Sequence, residues 1–185
     1  IRDRACMAST SVMAGSHSSC PEQGGTLKYG VKAEPPNYDM HGTNSYAIMH
    51  FVAQHYSTLL TFDWENFPKL EGDIAKSWEM ADDGLSYTFK LHENVKFHDG
   101  TPLTSADVKA SYDRIAFPPE GVLSQRKALY GSLESVETPD DYTVVFKLNS
   151  PDAFMMDGFA SPFNAIFSAK DLEKDMNRHK KNVNG

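Results

Sequence analysis

At 185 residues and 20.6 kDa, with 40% hydrophobic side chains, the chain is long enough to close one ordinary core and too short for two. Its 18 basic and 25 acidic side chains give a formal net charge of −7, which opposes a nucleic-acid partner, because binding a polyphosphate depends on Lys and Arg neutralising phosphates. No apolar run reaches the ~20 residues that a spanning helix needs, since Gln54, His55, Asp157 and Asn164 interrupt the most apolar stretches.

Residues 1–23 have no hydrophobic period and read as a tail that cannot repay its ordering entropy. Cys6 and Cys20 lie in it; they either form the one disulfide two thiols allow or stay as spectators, and their spacing suits no zinc site. Arg2 and Arg4 before ACMASTSVMAG have the look of the end of an export signal, although Ser9, Thr10 and Ser11 interrupt its apolar region. After Gly24 and Gly25, the alternation of Leu27, Tyr29 and Val31 predicts a half-buried strand that Pro35 and Pro36 stop. NYDMHGTN follows as turn-forming chain carrying Tyr38, Met40 and His41. Ile48, Phe51, Val52, Tyr56, Leu59 and Leu60 then recur at helical intervals, with Asn44 or Ser45 as N-cap, and predict one amphipathic helix.

Further along, Leu85, Tyr87, Phe89 and Leu91 alternate after an Asp82–Asp83–Gly84 turn, so a partner strand is expected near Ala75 to Met80. Val95 and Phe97 mark a short extended piece ended by Asp99 and Gly100. Thr104 with Asp107 three residues later predicts a capped helix whose inner face is Val108, Tyr112 and Ile115, ended by Pro118 and Pro119. Leu133 and Val136, a turn at Pro139 to Asp141, and alternating Tyr142, Val144, Phe146 and Leu148 predict a second hairpin. An aromatic, Met-rich passage runs from Pro151 to Phe167, and Ser168 with Asp171 starts another helix.

Seven histidines raise the question of a metal. His50 and His55 are five apart, which puts them on different faces of a helix, whereas two ligands on one face need a spacing of four. His98 beside Asp99 suggests a base with its orienting carboxylate, but neighbouring residues on extended chain point apart, and a strand end before an Asp-Gly turn accounts for them. No GxSxG elbow is present, and Gly24–Gly25 lacks the strand and the continuation of a phosphate loop. The sequence therefore offers no catalytic residue, metal ligand or cofactor motif. What remains is a turn-rich loop near 38–41 and the aromatic passage at 154–167, mixed polar and apolar chain of the kind that recognises ligands from a rigid scaffold.

The stretch IAKSWEMADDGLSYTFKLHENVKFHDGTPLTSADVKASYDRI, Ile74 to Ile115, closely resembles the signature region of the family 5 extracytoplasmic solute-binding proteins, the peptide, dipeptide and nickel type receptors of ABC importers. Weaker similarity covers GGTLKYGV before it and ESVETPDDYTVVFKL and FASPFNAIFSAKDL after it, so that roughly residues 24–185 are matched. These are scaffold motifs, which identify a family without specifying a ligand.

The resemblance implies an α/β fold of the type II periplasmic-binding-protein kind, a mixed sheet with flanking helices. Residues 24–185 would be the N-terminal part of lobe I, with the second lobe absent from this sequence and an exposed sheet edge where missing strands would pair. It implies a non-catalytic receptor without cofactor, periplasmic or otherwise extracytoplasmic, that captures a small solute such as a peptide and touches the membrane only through its ABC transporter permease. Neither cysteine follows a lipobox, so no lipid anchor is expected. By segment, the resemblance points to Tyr38, Met40 and His41, to Tyr130, and to Ser161, Pro162 and Asn164 as ligand-binding residues. Some relatives carry a cleft Arg in the segment matching FASPFN; this sequence has none there, so an acidic solute anchored from that segment is not expected. Because family members close two lobes on the solute, one lobe alone is expected to bind weakly or not at all. A secreted hydrolase using His98 and Asp99, or a remnant domain without a ligand, are the competing readings.

Overall fold

Two antiparallel hairpins build the main sheet. In the computed structural model, which describes residues 30–183, β3 (Ala75–Met80) pairs with β4 (Ser86–Leu91), and β5 (Leu133–Asp140) pairs with β6 (Thr143–Leu148). The two hairpins join through β4 and β6, giving the order β3-β4-β6-β5. A separate short hairpin, β1 (Leu60–Phe62) with β2 (Leu70–Gly72), precedes them. Every pairing among the described residues is antiparallel, so the parallel strands of a mixed sheet are not among these elements. The chain divides into Ile1–Gly30 and Val31–Gly185, and the elements all belong to the second unit. The tail with Cys6 and Cys20 lies outside the described residues, as does most of the expected strand at 27–31; Gly30 and Val31 themselves are not in a strand.

The first expected hairpin forms where the alternation placed it. Gly84 adopts φ +69°, the conformation its turn requires, and the Asp83 carboxylate accepts from the Leu85 N–H at 2.9 Å. In the second hairpin the turn sits one residue later than expected: β5 runs through Pro139 and Asp140, and Asp140 accepts from the Tyr142 N–H and the Thr143 hydroxyl. The inner faces bury Tyr87, Phe89, Val144 and Phe146, and the three rings among them join Tyr112 and Phe159 in edge-on and tilted aromatic contacts with centroids 4.6–5.7 Å apart. The sheet edge at β3 leaves Lys76, Ser77, Glu79 and Met80 exposed, and its two charges discourage further strand pairing.

Helix α2 (Ser105–Ala116) packs beside this sheet and carries the capping box that Thr104 and Asp107 predict. Both the backbone N–H and the hydroxyl of Thr104 donate to Asp107 Oδ2, while Asp107 Oδ1 accepts from the N–H of Ala169, the first residue of α4 (Ala169–Lys174). One carboxylate thus caps two helices. Beside the fully buried apolar row Val108, Tyr112 and Ile115 lies a second, polar row, Asp107, Ser111 and Arg114, which is also buried. The helix is covered on two sides, and its polar row faces the segments that follow and precede it in the chain.

The expected helix over 45–60 is shorter than its spacing suggests. Ser45 caps α1 (Tyr46–Val52), a single 3-10 turn follows over Ala53–His55, and Tyr56 is already extended. Leu59 and Leu60 are fully buried, but outside any helix: Leu59 lies in a bend and Leu60 opens β1. Long-range pairing overrides the helical period here: the Leu59 carbonyl accepts from Asp73 and Ala75, the Thr58 N–H donates to the Asp73 carboxylate, and the Ser57 carbonyl accepts from Ile166. Ile48 and Val52 of α1 join Met40, Ala165, Phe167 and Leu172 in a second, smaller core.

Candidate functional site

Three segments far apart in sequence meet beside this smaller core. The first is the loop at 37–43. Asp39 holds its shape, accepting from the His41 and Gly42 N–H groups at 3.1 and 3.2 Å, and the helix α2 residue Arg114 grips the same carboxylate. The third is the end of the aromatic passage: His41 bonds the Ala165 carbonyl through Nε2 at 2.8 Å and stacks on Phe167 with centroids 4.3 Å apart. Burial and the nearby Arg114 charge push the His41 ring down to about 3, so it is neutral at physiological pH.

The second segment, 124–130, joins the other two through Arg126. Its Nη1 and Nη2 donate to the carbonyls of Met40 and Thr43 at 3.1 and 2.9 Å, and its guanidinium lies 3.9 Å over the centre of the Phe163 ring. The Gln125 N–H donates to the His41 carbonyl. Four residues on, Tyr130 is buried, and its hydroxyl accepts from Asn164 Nδ2 at 2.6 Å; the same amide donates to the Gly158 carbonyl at 2.7 Å. Burial raises the Tyr130 phenol well above its ordinary value, which keeps it a neutral partner. Helix α3 (Met155–Phe159) and the Tyr130 turn enclose a shallow groove of about 270 Å³ whose walls include Leu129, Phe154, Gly158 and Ser161. Leu129 and Phe154 are strongly exposed there.

The residues to which the family resemblance points therefore divide by exposure. Met40, His41, Tyr130 and Asn164 are buried and bonded internally, holding the three segments together. Tyr38, Ser161 and Pro162 reach the surface. Arg114, Arg126 and Asp39 are organising residues that sequence reading missed. A signal for the first existed: Asp107, Ser111 and Arg114 recur at helical spacing beside the apolar row, with a small residue at the centre. Nothing local singles out Arg126.

The residues weighed for hydrolysis are engaged elsewhere. His98 Nε2 bonds the His55 carbonyl at 3.0 Å, and Asp99 binds the backbone and hydroxyl of Thr101, so the carboxylate does not orient the ring. His50 lies in α1 and His55 in the 3-10 turn after it. No helix among the described residues is long and apolar enough to cross a membrane.

Comparison with known proteins places this architecture. Residues 69–185 match the family model of the bacterial extracellular solute-binding proteins, family 5. The chain belongs to that family. It is 36% identical over 137 residues to the glutathione-binding protein GsiB of Escherichia coli K12, an alignment covering 74% of this chain and 25% of GsiB. Among solved structures, the binding protein AgaA of A. tumefaciens R10 in complex with agropinic acid superposes with a TM-score of 0.72 at 31% identity, covering 79% of this chain and 29% of AgaA. The periplasmic binding protein DppA of Helicobacter pylori, in complex with the peptide STSA, gives 0.69 at 26% identity, covering 80% and 32%. The chain thus spans about a quarter to a third of the length of these relatives, and its mixed helix-and-strand fold is one that periplasmic binding proteins use for that portion.

Proposed function

We propose that this chain forms one wall of the solute site of an ABC-importer receptor, working outside the cytoplasmic membrane and delivering peptide-like or other small polar solutes to a membrane permease. In this reading residues 24–185 belong to lobe I, and a second lobe outside this sequence supplies the opposing wall. The observation that carries it is the convergence of the 37–43 loop, the 124–130 segment and the 161–167 passage around Arg126 and the Tyr130–Asn164 bond. A loop locked by buried polar bonds is preorganised, which lowers the ordering cost of capture. The relatives' ligands, glutathione, a peptide and agropinic acid, fit the solute class. Capture needs no cofactor and breaks no bond; clamp closure alone changes the surface the permease meets. The exposed Tyr38, Ser161 and Pro162 are the contacts, and Met40, His41, Tyr130 and Asn164 position them.

A chimera tests this directly. Residues 31–185 would replace the corresponding segment of GsiB, and the product would be titrated calorimetrically with glutathione and a panel of di- and tripeptides. Saturable binding of at least one solute is expected. A chimera that melts cooperatively yet binds none of them would contradict the proposal.

A further inference from the structure

His179 is the one buried residue between 177 and 183, and its ring lies on Phe167 with centroids 3.8 Å apart and planes within 10° of parallel. The 3-10 turn that carries it, Arg178–Lys180, is tied to the candidate site by main chain: the Lys180 carbonyl accepts from the Tyr38 N–H at 3.4 Å. Just upstream, Arg114 fixes the Met176 carbonyl, so the turn has a firm hinge on one side and the exposed Lys181 and Asn182 on the other. The rest of the 37–43 loop is held independently, Asp39 by Arg114 and the carbonyls of Met40 and Thr43 by Arg126. The turn therefore bears on the start of that loop, at Tyr38.

The surroundings of the ring suit a neutral imidazole and no imidazolium. Nδ1 faces the Tyr56 hydroxyl at 3.3 Å, and Nε2 has no hydrogen-bond partner among the described residues. The charged groups that bear on it are Arg114 from α2, Asp39 from the loop, Asp171 from α4 and Arg178 from its own turn. Arg114 already lies 5.9 Å from the centre of the same Phe167 ring, and His41 stacks on that ring as well. Both carboxylates are engaged, Asp39 by Arg114 and Asp171 by Arg178 and Lys174. Burial, reinforced by Arg114, holds the ring down at about 4, against an ordinary 6.5. A proton on His179 is accommodated once the ring leaves the stack and meets water.

We infer that His179 is a proton-operated latch: when it is protonated the 178–180 turn swings off Phe167, the Tyr38–Lys180 bond breaks, and the start of the 37–43 loop loosens. The consequence for the solute rests on the capture reading, in which Tyr38 is a contact, and it makes capture weaker in acid. The sign follows from the two states of the turn. The open turn takes up its proton near 6.5 and the closed turn near 4, so opening gains about tenfold per pH unit between them and about thirtyfold from pH 7.5 to pH 5.

The test is amide hydrogen exchange on the full 185-residue chain at pH 7.5 and pH 5, each rate taken relative to that of unstructured chain at the same pH. The Tyr38 and Lys180 amides are expected to lose about thirtyfold in protection, while staying less protected than Phe146 in the main sheet, whose exchange reports opening of the whole fold. His179→Gln, neutral at both pH values, is expected to abolish the change. His41→Gln is expected to leave it in place, a split that packing alone would not give. The pH comparison on the unaltered chain stands even if a variant loses its fold. Protection that does not change with pH, Tyr38 protection that falls only in step with Phe146 and to the same level, or a loss that survives His179→Gln overturns the latch and leaves solute capture intact. In the GsiB chimera, a solute bound at pH 7.5 is expected to bind several-fold more weakly at pH 5, and the same chimera with His179→Gln is expected to hold its affinity. Equal affinity at both pH values in the unaltered chimera overturns the link to capture. A chimera that binds no solute contradicts capture itself, and the exchange rates then decide the latch alone.

Discussion

Arg114 and Asp39 form a two-pronged ion pair in the interior: Nη1 meets Oδ1 at 3.1 Å and Nη2 meets Oδ2 at 2.6 Å, with the side chains 0% and 1% exposed. The same guanidinium donates from Nε and Nη2 to the Met176 carbonyl. One side chain on α2 thus holds the loop that opens the candidate site and the segment after α4. Burial alone would raise the Asp39 carboxyl, but the Arg114 hydrogen bond and charge outweigh it and hold the group below its ordinary 3.8. Removing one partner of such a pair leaves a buried charge uncompensated. Arg114→Met is expected to cost about 3 to 5 kcal/mol in urea unfolding. The double variant Asp39→Asn/Arg114→Met, which removes the stranded charge and keeps an acceptor for the loop, is expected to recover roughly 1 kcal/mol or more. A double variant no more stable than the single one would contradict this account of the pair.

Acid sensitivity follows from two buried rings. His41 and His179 both stack on Phe167, at 4.3 and 3.8 Å, and neither is exposed. Around them lie Asp39, Arg114, Asp171, Arg178 and the Tyr56 hydroxyl. Burial, reinforced by Arg114, pushes His41 down to about 3 and His179 to about 4, from an ordinary 6.5. The unfolded chain therefore takes up two protons near pH 6.5 that the folded chain refuses, and stability falls as pH drops below that value. By pH 5 the loss is about 2 kcal/mol for each ring. Asp39 adds to it only below its own ordinary value. Urea midpoints at pH 7.5 and pH 5 check the sign, and His179→Gln is expected to remove about half of the difference.

Ser111 fastens the aromatic passage to α2. Its hydroxyl donates to the Asp107 carbonyl and accepts from the Phe167 N–H, each at 2.8 Å, at a fully buried position. Ser111→Ala leaves the Phe167 N–H without its acceptor, at an expected cost of about 1 to 3 kcal/mol. Hydrogen exchange offers the sharper readout: the Phe167 amide should lose protection while those of Val144 and Phe146 in the main sheet keep theirs.

Gly158 leaves no room for a side chain. A Cβ there would stand 2.9 Å from the Tyr130 hydroxyl oxygen and 3.5 Å from its Cζ. Gly158→Ala is therefore expected to displace the ring and break the Tyr130–Asn164 bond. Tyr130→Phe removes only the hydroxyl, and Asn164 keeps its 2.7 Å bond to the Gly158 carbonyl, for an expected cost of about 1 kcal/mol. Thermal melting should rank Gly158→Ala below Tyr130→Phe; the opposite order would mean that the ring yields without cost.

Local patterns in the sequence carry the scaffold well. Period-2 alternation over Leu85–Leu91, the Gly84 turn and the Thr104–Asp107 cap each depend on neighbours in the chain, and each forms as the residues suggest. The β1–β2 hairpin was not legible, because Leu59 and Leu60 continue the helical spacing of α1 while their backbone partners, Asp73 and Ala75 for Leu59 and Gly72 for Leu60, lie downstream. For the candidate site, the segments were legible through family resemblance and their internal arrangement was not. His41 meeting Ala165, and Arg126 meeting Met40, Thr43 and Phe163, are contacts across 37 to 124 residues of chain that no spacing rule reaches.

The most direct measurement is a crystal structure of the GsiB chimera grown with a carboxylate-bearing peptide. The solute should lie against the 37–43, 124–130 and 161–164 segments, in contact with Tyr38, Ser161 or Pro162. A solute seated instead between α2 and α4, or clear of all three segments, would contradict the assignment of this wall.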